Sequence, residues 1–189
     1  LLQAWTRNPE FAARVAGLGG PEAQAAQDCY RIHYGPWDRL RDFEPLLTTL
    51  PHPEGAGYYP EDMTREELGA WLESHPEDTE AFRSLHTVIR RDDGGLVAIP
   101  YSTEYGDLLS EASGELEAAA AATSDPTLAR FLELRARAFR TDDYYESDMA
   151  WMDLDSAIEV VIGPYETYED RLFGYKAAFE AFVCVTSPD

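Results

Sequence analysis

The sequence predicts an α+β fold, mostly helical, with a small antiparallel sheet or partial barrel near the C-terminus. Three observations predict it. Helix-start signals recur through the first two thirds: Thr64 is followed three residues later by Glu67, and Asp125 is followed by Pro126. A hairpin pattern runs from Thr87 through Asp92-Asp93-Gly94-Gly95 to Ile99. Two strand-like runs, 158–162 and 177–185, lie near the end of the chain. Helices and strands that segregate in this way make an α+β domain rather than a βαβ repeat.

The elements follow in order. Leu2, Trp5, Phe11, Val15 and Leu18 form an apolar helical stripe, broken near Asn8-Pro9 and ended by Gly19-Gly20. Pro21 opens a second helix that reaches His33. Residues 35–59 are rich in Pro and Gly with little periodicity, and read as a long ordered loop anchored by Trp37, Phe43, Tyr58 and Tyr59. Thr64 caps a helix with Leu68, Trp71 and Leu72 on one face, and a short helix carrying Phe82 and Leu85 follows. After the hairpin, residues 104–122 read as an Ala-rich helix. Asp125 caps the next, with Leu128, Phe131, Leu132 and Phe139 towards the core, and residues 144–151 make a last helix.

The 189 residues are expected to form a single domain, 1–189, large enough for a substantial core. A formal charge of -21 argues against a phosphate backbone as partner, because counterion release needs a basic surface. The same field favours cationic partners, including the ammonium of a peptide N-terminus. The two cysteines, Cys29 and Cys184, form no C-x-x-C pair, and no apolar run is long enough to span a membrane. A cytoplasmic location is expected. The chain starts at Leu1 without Met, and its last strand-like run stops four residues before Asp189. We expect it to be a piece of a longer protein, since an unpaired strand edge needs cover.

Most familiar chemistry is missing. The four histidines, His33, His52, His75 and His86, lack the spacing of a helical metal site. No serine lies in a G-x-S-x-G elbow, and Gly17-Leu18-Gly19-Gly20 follows a helix rather than a strand, the wrong context for a dinucleotide. Arg65-Glu66-Glu67-Leu68 matches only the opening of a Nudix helix and lacks its later paired glutamates. What remains is a C-terminal group. Glu166 and Tyr168 are two residues apart, which would put them on one face of an extended chain, and Glu180 lies in the last strand-like run. A carboxylate beside a phenol can hold an ammonium and a carbonyl oxygen. A Tyr-rich turn packed on the sheet accounts for the same residues, and spacing leaves both readings open.

The segments Glu166-Thr167-Tyr168-Glu169-Asp170, Phe173-Gly174 and Phe179-Glu180-Ala181-Phe182-Val183 resemble the dipeptidyl peptidase III family of zinc exopeptidases, whose pattern is E-S-Y-x-D…F-G…F-E-G-F-V. The match is closer still to a bacterial branch of short relatives, through Gly35-Pro36-Trp37-Asp38-Arg39-Leu40, Tyr59-Pro60-Glu61-Asp62-Met63-Thr64 and Trp151-Met152-Asp153-Leu154-Asp155-Ser156. Plant relatives carry a fused Nudix domain.

The resemblance implies one lobe of a two-lobed enzyme: an N-terminal substrate-binding lobe, with the zinc lobe absent from this chain. It implies that Glu166 holds the free N-terminal ammonium of a peptide or small-molecule substrate, that Glu180 supports that subsite, and that Tyr168 is catalytic, bonding a carbonyl or oxyanion near the scissile bond. The H-E-x-x-x-H zinc motif is not in this sequence, so no metal ligand is assigned here. Zinc is expected only in the intact protein, and this segment alone is expected to be inactive. Two family positions differ: Ala178 stands where a Glu is usual, and Lys176-Ala177 replaces Arg-Gly, changes expected either to weaken the ammonium site or to fit it to a different substrate. A reading from another class is a binding or scaffolding domain that uses the same lobe without metal.

Overall fold

The computed structural model describes residues 9–33 and 35–186. Helix α1 spans Pro9–Ala16 and α2 spans Ala23–His33. Of the expected first stripe, Leu2 and Trp5 lie outside the described residues, Val15 is buried, and Leu18 is exposed beyond the end of α1. The long loop contains a two-stranded sheet that periodicity did not predict, β1 (Trp37–Asp38) against β2 (Glu44–Pro45). Between them the Asp38 carboxylate accepts the Leu40 N–H at 2.9 Å and starts a single 3-10 turn.

Helix α3 (Arg65–Ser74) starts where the cap was expected, with the Thr64 hydroxyl accepting the Glu67 N–H at 3.1 Å. Helix α4 (Thr79–Arg83) buries Phe82 and ends before Leu85, which is exposed instead of sharing its face. Strands β3 (Thr87–Asp92) and β4 (Gly95–Pro100) form the expected hairpin. Its two-residue turn has φ of 39° at Asp93 and 88° at Gly94, the left-handed pair that matches strand twist.

The remaining helices are α5 (Tyr101–Glu104), α6 (Gly106–Ala122), α7 (Pro126–Thr141) and α8 (Tyr145–Met152). The Asp125 carboxylate caps α7 through the N–H groups of Thr127 and Leu128. Helices α6 and α7 pack together around Ser113, whose hydroxyl donates to Leu109 O at 2.7 Å and to Ala136 O at 3.0 Å. Tyr101, Phe131, Phe139, Val88, Ile89, Leu68 and Leu109 form the centre of the core. Burial of each such side chain contributes roughly 1.5–3 kcal/mol.

Strands β5 (Ile158–Glu166) and β6 (Ala178–Val185) form a third antiparallel pair. The expected late sheet is thus a separate hairpin, and the described residues hold three two-stranded sheets. Loop backbone takes up bonding groups along the edge of β3, where Ile89 N donates to Tyr58 O at 2.8 Å, so the hairpins do not merge. Phe179 anchors β5–β6 to the core through Tyr101 at 5.6 Å and Phe139 at 5.7 Å between ring centres. The far end of β6 is solvent-facing, with Val183 72% and Val185 77% exposed. Among the described residues no helix is long and apolar enough to cross a membrane.

Candidate functional site

The candidate residues Glu166, Tyr168 and Glu180 sit at the base of β5–β6, and an irregularity in β5 arranges the two glutamates. Gly163 stands opposite Glu180 and Pro164 opposite Phe179, but Glu166 is then opposite Ala178, leaving Tyr165 as an extra residue. Side chains of directly opposed residues share a face, and so do residues two apart on one strand. Glu166 therefore joins Ala178 and Glu180 on one face. Without the bulge, strict alternation would send it to the other. Glu166 is exposed and Glu180 half-buried. Partial burial and the neighbouring Glu166 charge raise the Glu180 carboxyl above its usual range.

Tyr168 reaches the same neighbourhood by another route than the sequence implied. The strand ends at Glu166, and Tyr168 lies in the turn beyond it, 63% exposed. Alternation along an extended chain does not set its direction. Its phenol is raised by desolvation, then by the charges of Glu166, Glu169 and Glu180, while Arg39 acts the other way.

The turn is held by a buried carboxylate. Asp170 accepts the Tyr59 hydroxyl at 2.7 Å and the N–H groups of Leu172, Phe173, Tyr175 and Lys176 at 2.9–3.1 Å. Burial and this carboxylate drive the Tyr59 phenol far above its ordinary value, so it stays a donor. Next to it, Glu169 is buried and ion-paired with Arg39 from the long loop. Arg171 bonds Glu54 O through its N–H at 2.9 Å and pairs with Asp42 at 2.7 Å. The 167–177 segment is thus fastened to the 36–59 loop on one side.

Lys176 fastens the other side. Its side chain is fully buried, with Nζ donating to Phe82 O at 2.7 Å, Ser84 O at 2.9 Å and Thr87 Oγ1 at 2.9 Å. Burial lowers it to about 7, with Asp170 opposing. Its ammonium is spent on the α4–β3 connection, so this departure from the family pattern bears on packing rather than on the Glu166 face. Ala178 differs: it stands opposite Glu166, where a Glu would add a third carboxylate to that face.

Sequence reasoning placed Glu166 and Glu180 at this hairpin and Tyr59 among the loop anchors, but gave no partner to Tyr59, Arg39, Glu169 or Lys176. Glu169 and Asp170 were visible as the last residues of the Glu-Thr-Tyr-Glu-Asp run. The others act across long sequence separations and left no local pattern.

Among the described residues no group of three or more His, Cys, Asp or Glu side chains could hold a metal ion. The histidines are committed elsewhere. His52 stacks on Phe43 at 4.1 Å and is pushed down to about 4 by burial and by Arg171 and Arg39, while His75 stacks on Trp71 at 4.0 Å. His33 Nδ1 takes the Arg39 N–H at 3.2 Å, and His86 lies beside Tyr144. These residues do not fit a zinc centre.

A family of unknown function, DUF6887, matches residues 61–119. Nudix hydrolase 3 of Arabidopsis thaliana is 35% identical over an alignment of 233 residues, covering 96% of this chain and 30% of that protein. The solved structure of DPP III from Caldithrix abyssi superposes with a TM-score of 0.93 at 51% identity, over 98% of this chain and 36% of that one. The dipeptidyl-peptidase III of Corallococcus sp. strain EGB gives 0.91 at 41% identity, over 98% and 35%. The chain spans about a third of the length of these relatives. At this identity and superposition, with the Glu166–Asp170 run on the β5–β6 hairpin, the chain belongs to the dipeptidyl-peptidase-III-like family.

Proposed function

We propose that this chain is the substrate-binding lobe of a zinc-dependent, dipeptidyl-peptidase-III-like hydrolase. Glu166 and Glu180 take the free N-terminal ammonium of a peptide, and Tyr168 donates its hydroxyl to a carbonyl or developing oxyanion near the bond to be cut. The supporting observation is the bulge at Tyr165, which gives the two glutamates one face beside an exposed phenol. Two carboxylates on one face repel until a cation arrives, and the Glu180 carboxyl is raised by partial burial first and by the Glu166 charge second. An ammonium relieves it and gains charge-assisted hydrogen bonds.

When bound in the intact protein, zinc would activate a water. Its ligands belong to residues other than those described here. This chain would supply binding and orientation, holding the amine end so that the scissile carbonyl lies at Tyr168.

The test compares free and N-acetylated peptides on the longer protein. Acetylation should weaken productive binding, and Glu166→Gln should narrow the gap between the free and the acetylated peptide. Equal turnover of the two peptides by the unaltered protein would remove the ammonium role.

A further inference from the structure

Arg135 of α7 is fully buried, yet among the described residues it pairs with one carboxylate. Its Nη2 reaches Asp148 of α8 at 2.5 Å, while Nε and Nη1 have no hydrogen-bond partner among the described residues. The guanidinium lies instead among three aromatic rings, at 5.3 Å from Phe131, 5.3 Å from Tyr144 and 5.4 Å from Tyr165. A desolvated cation is attracted to ring faces, so this seat is favourable despite its missing acceptors.

Tyr165 is the extra residue of the bulge. Its hydroxyl donates to Ile162 O at 3.3 Å, which brings the ring back over Gly163. Gly163 has φ of 155°, and a Cβ there would stand 2.7 Å from Arg135 Nη1, 3.1 Å from Tyr165 Cζ and 3.2 Å from its hydroxyl oxygen. Arg135 and Tyr165 together fill the space beside this glycine.

A bulge leaves its extra residue unpaired and the ladder locally disrupted, so ladder bonds alone do not fix which residue is the extra one. If it moved, Tyr165 would stand opposite Ala178 and Glu166 would swing to the other face. Something has to pin it, and the three atoms nearest to where a Gly163 Cβ would stand all belong to these two side chains.

We propose that Arg135 is the positioning residue of this site: by clamping Tyr165 against Gly163 it fixes the bulge, and the bulge keeps Glu166 beside Glu180. The importance of that juxtaposition for amine binding rests on the function proposed above, whereas the clamp itself rests on packing. Arg135 does not touch the substrate in this scheme.

The test follows the Glu180 carboxyl by NMR titration in the 189-residue chain. In the unaltered protein Glu166→Gln removes a neighbouring like charge and should lower the Glu180 midpoint. In an Arg135→Met background most of that shift should vanish, because the two carboxylates no longer share a face. Tyr165→Leu, which removes the clamped ring at a half-buried position, should have the same effect and carries the test if Arg135→Met does not fold. A full-sized shift in either folded background overturns the proposal, as does no shift in the unaltered protein. A purely stabilising Arg135 would move the melting temperature and leave the coupling intact. Equal binding of free and N-acetylated peptides would count against the amine reading alone, since the coupling does not depend on any ligand.

Discussion

Tyr59 donates its phenolic proton to Asp170 at 2.7 Å, joining residues 111 positions apart. It is the one side chain among the five donors to that carboxylate described above, the other four being backbone N–H groups of the following turn. The carboxylate thus organises its own loop and ties that loop to the 36–59 segment in one step. Asp170→Ala should destabilise the chain by about 3 kcal/mol, since several buried N–H groups lose a charged acceptor. Tyr59→Phe should cost only about 1 kcal/mol, because the backbone donors remain. Denaturant unfolding of both variants checks this, and equal costs would mean that the backbone bonds carry little.

Lys176 makes stability depend on pH in a definite direction. Its folded value of about 7 lies below the unfolded value of 10.5, so between them the unfolded chain binds more protons. Stability from this group therefore rises with pH through that window and is least below 7. The three acceptors around Nζ match the three N–H bonds of an ammonium, which favours the charged form and narrows that window. Lys176→Met should destabilise by about 3 kcal/mol at pH 7, since buried carbonyls of Phe82 and Ser84 lose their donor. It should also flatten the rise between pH 7 and 9, measured as urea midpoints against the unaltered chain.

The Arg39–Glu169 pair joins the same two loops with buried charge. Arg39→Met leaves a buried carboxylate without its main counter-charge and should cost about 3 kcal/mol. Adding Glu169→Gln should restore part of that loss, because the stranded charge is gone. Thermal melts of the single and double variants decide it. A double variant whose loss equals the sum of the two single losses would show that the pair is not coupled.

Kinetics in the longer protein separate the two proposed roles. Glu166→Gln should raise KM for free-amine peptides by about tenfold, the equivalent of about 1.4 kcal/mol, with a smaller change in kcat. Tyr168→Phe should lower kcat by about a hundredfold or more, as loss of an oxyanion donor does, with KM little changed. The reverse pattern would exchange the assignments.

What the sequence revealed was local. Thr64 with Glu67, Asp125 with Pro126, and Asp93-Gly94 each stabilise their own neighbourhood, so each could be read from adjacent residues and each stands where expected. Leu85 misled because helical spacing ran past the end of α4, whose last residue is Arg83. The site was half legible. Glu166 and Glu180 stood out as a motif, but the alternation that would have aligned Tyr168 stops at the strand end, and the bulge that turns Glu166 towards Glu180 depends on ring packing against α7. Arg39, Tyr59 and Lys176 find their partners about 90 to 130 residues away, where no periodicity points.

Lys176 is the single lysine in the sequence, and its amine is sealed inside the fold. An acylating reagent aimed at side-chain amines meets nothing on the folded surface and can modify this residue only when the segment between α4 and β6 opens. The rate of acylation at one position is thereby a clock for opening of the loop that carries Tyr168, and a ligand seated on that loop would slow it.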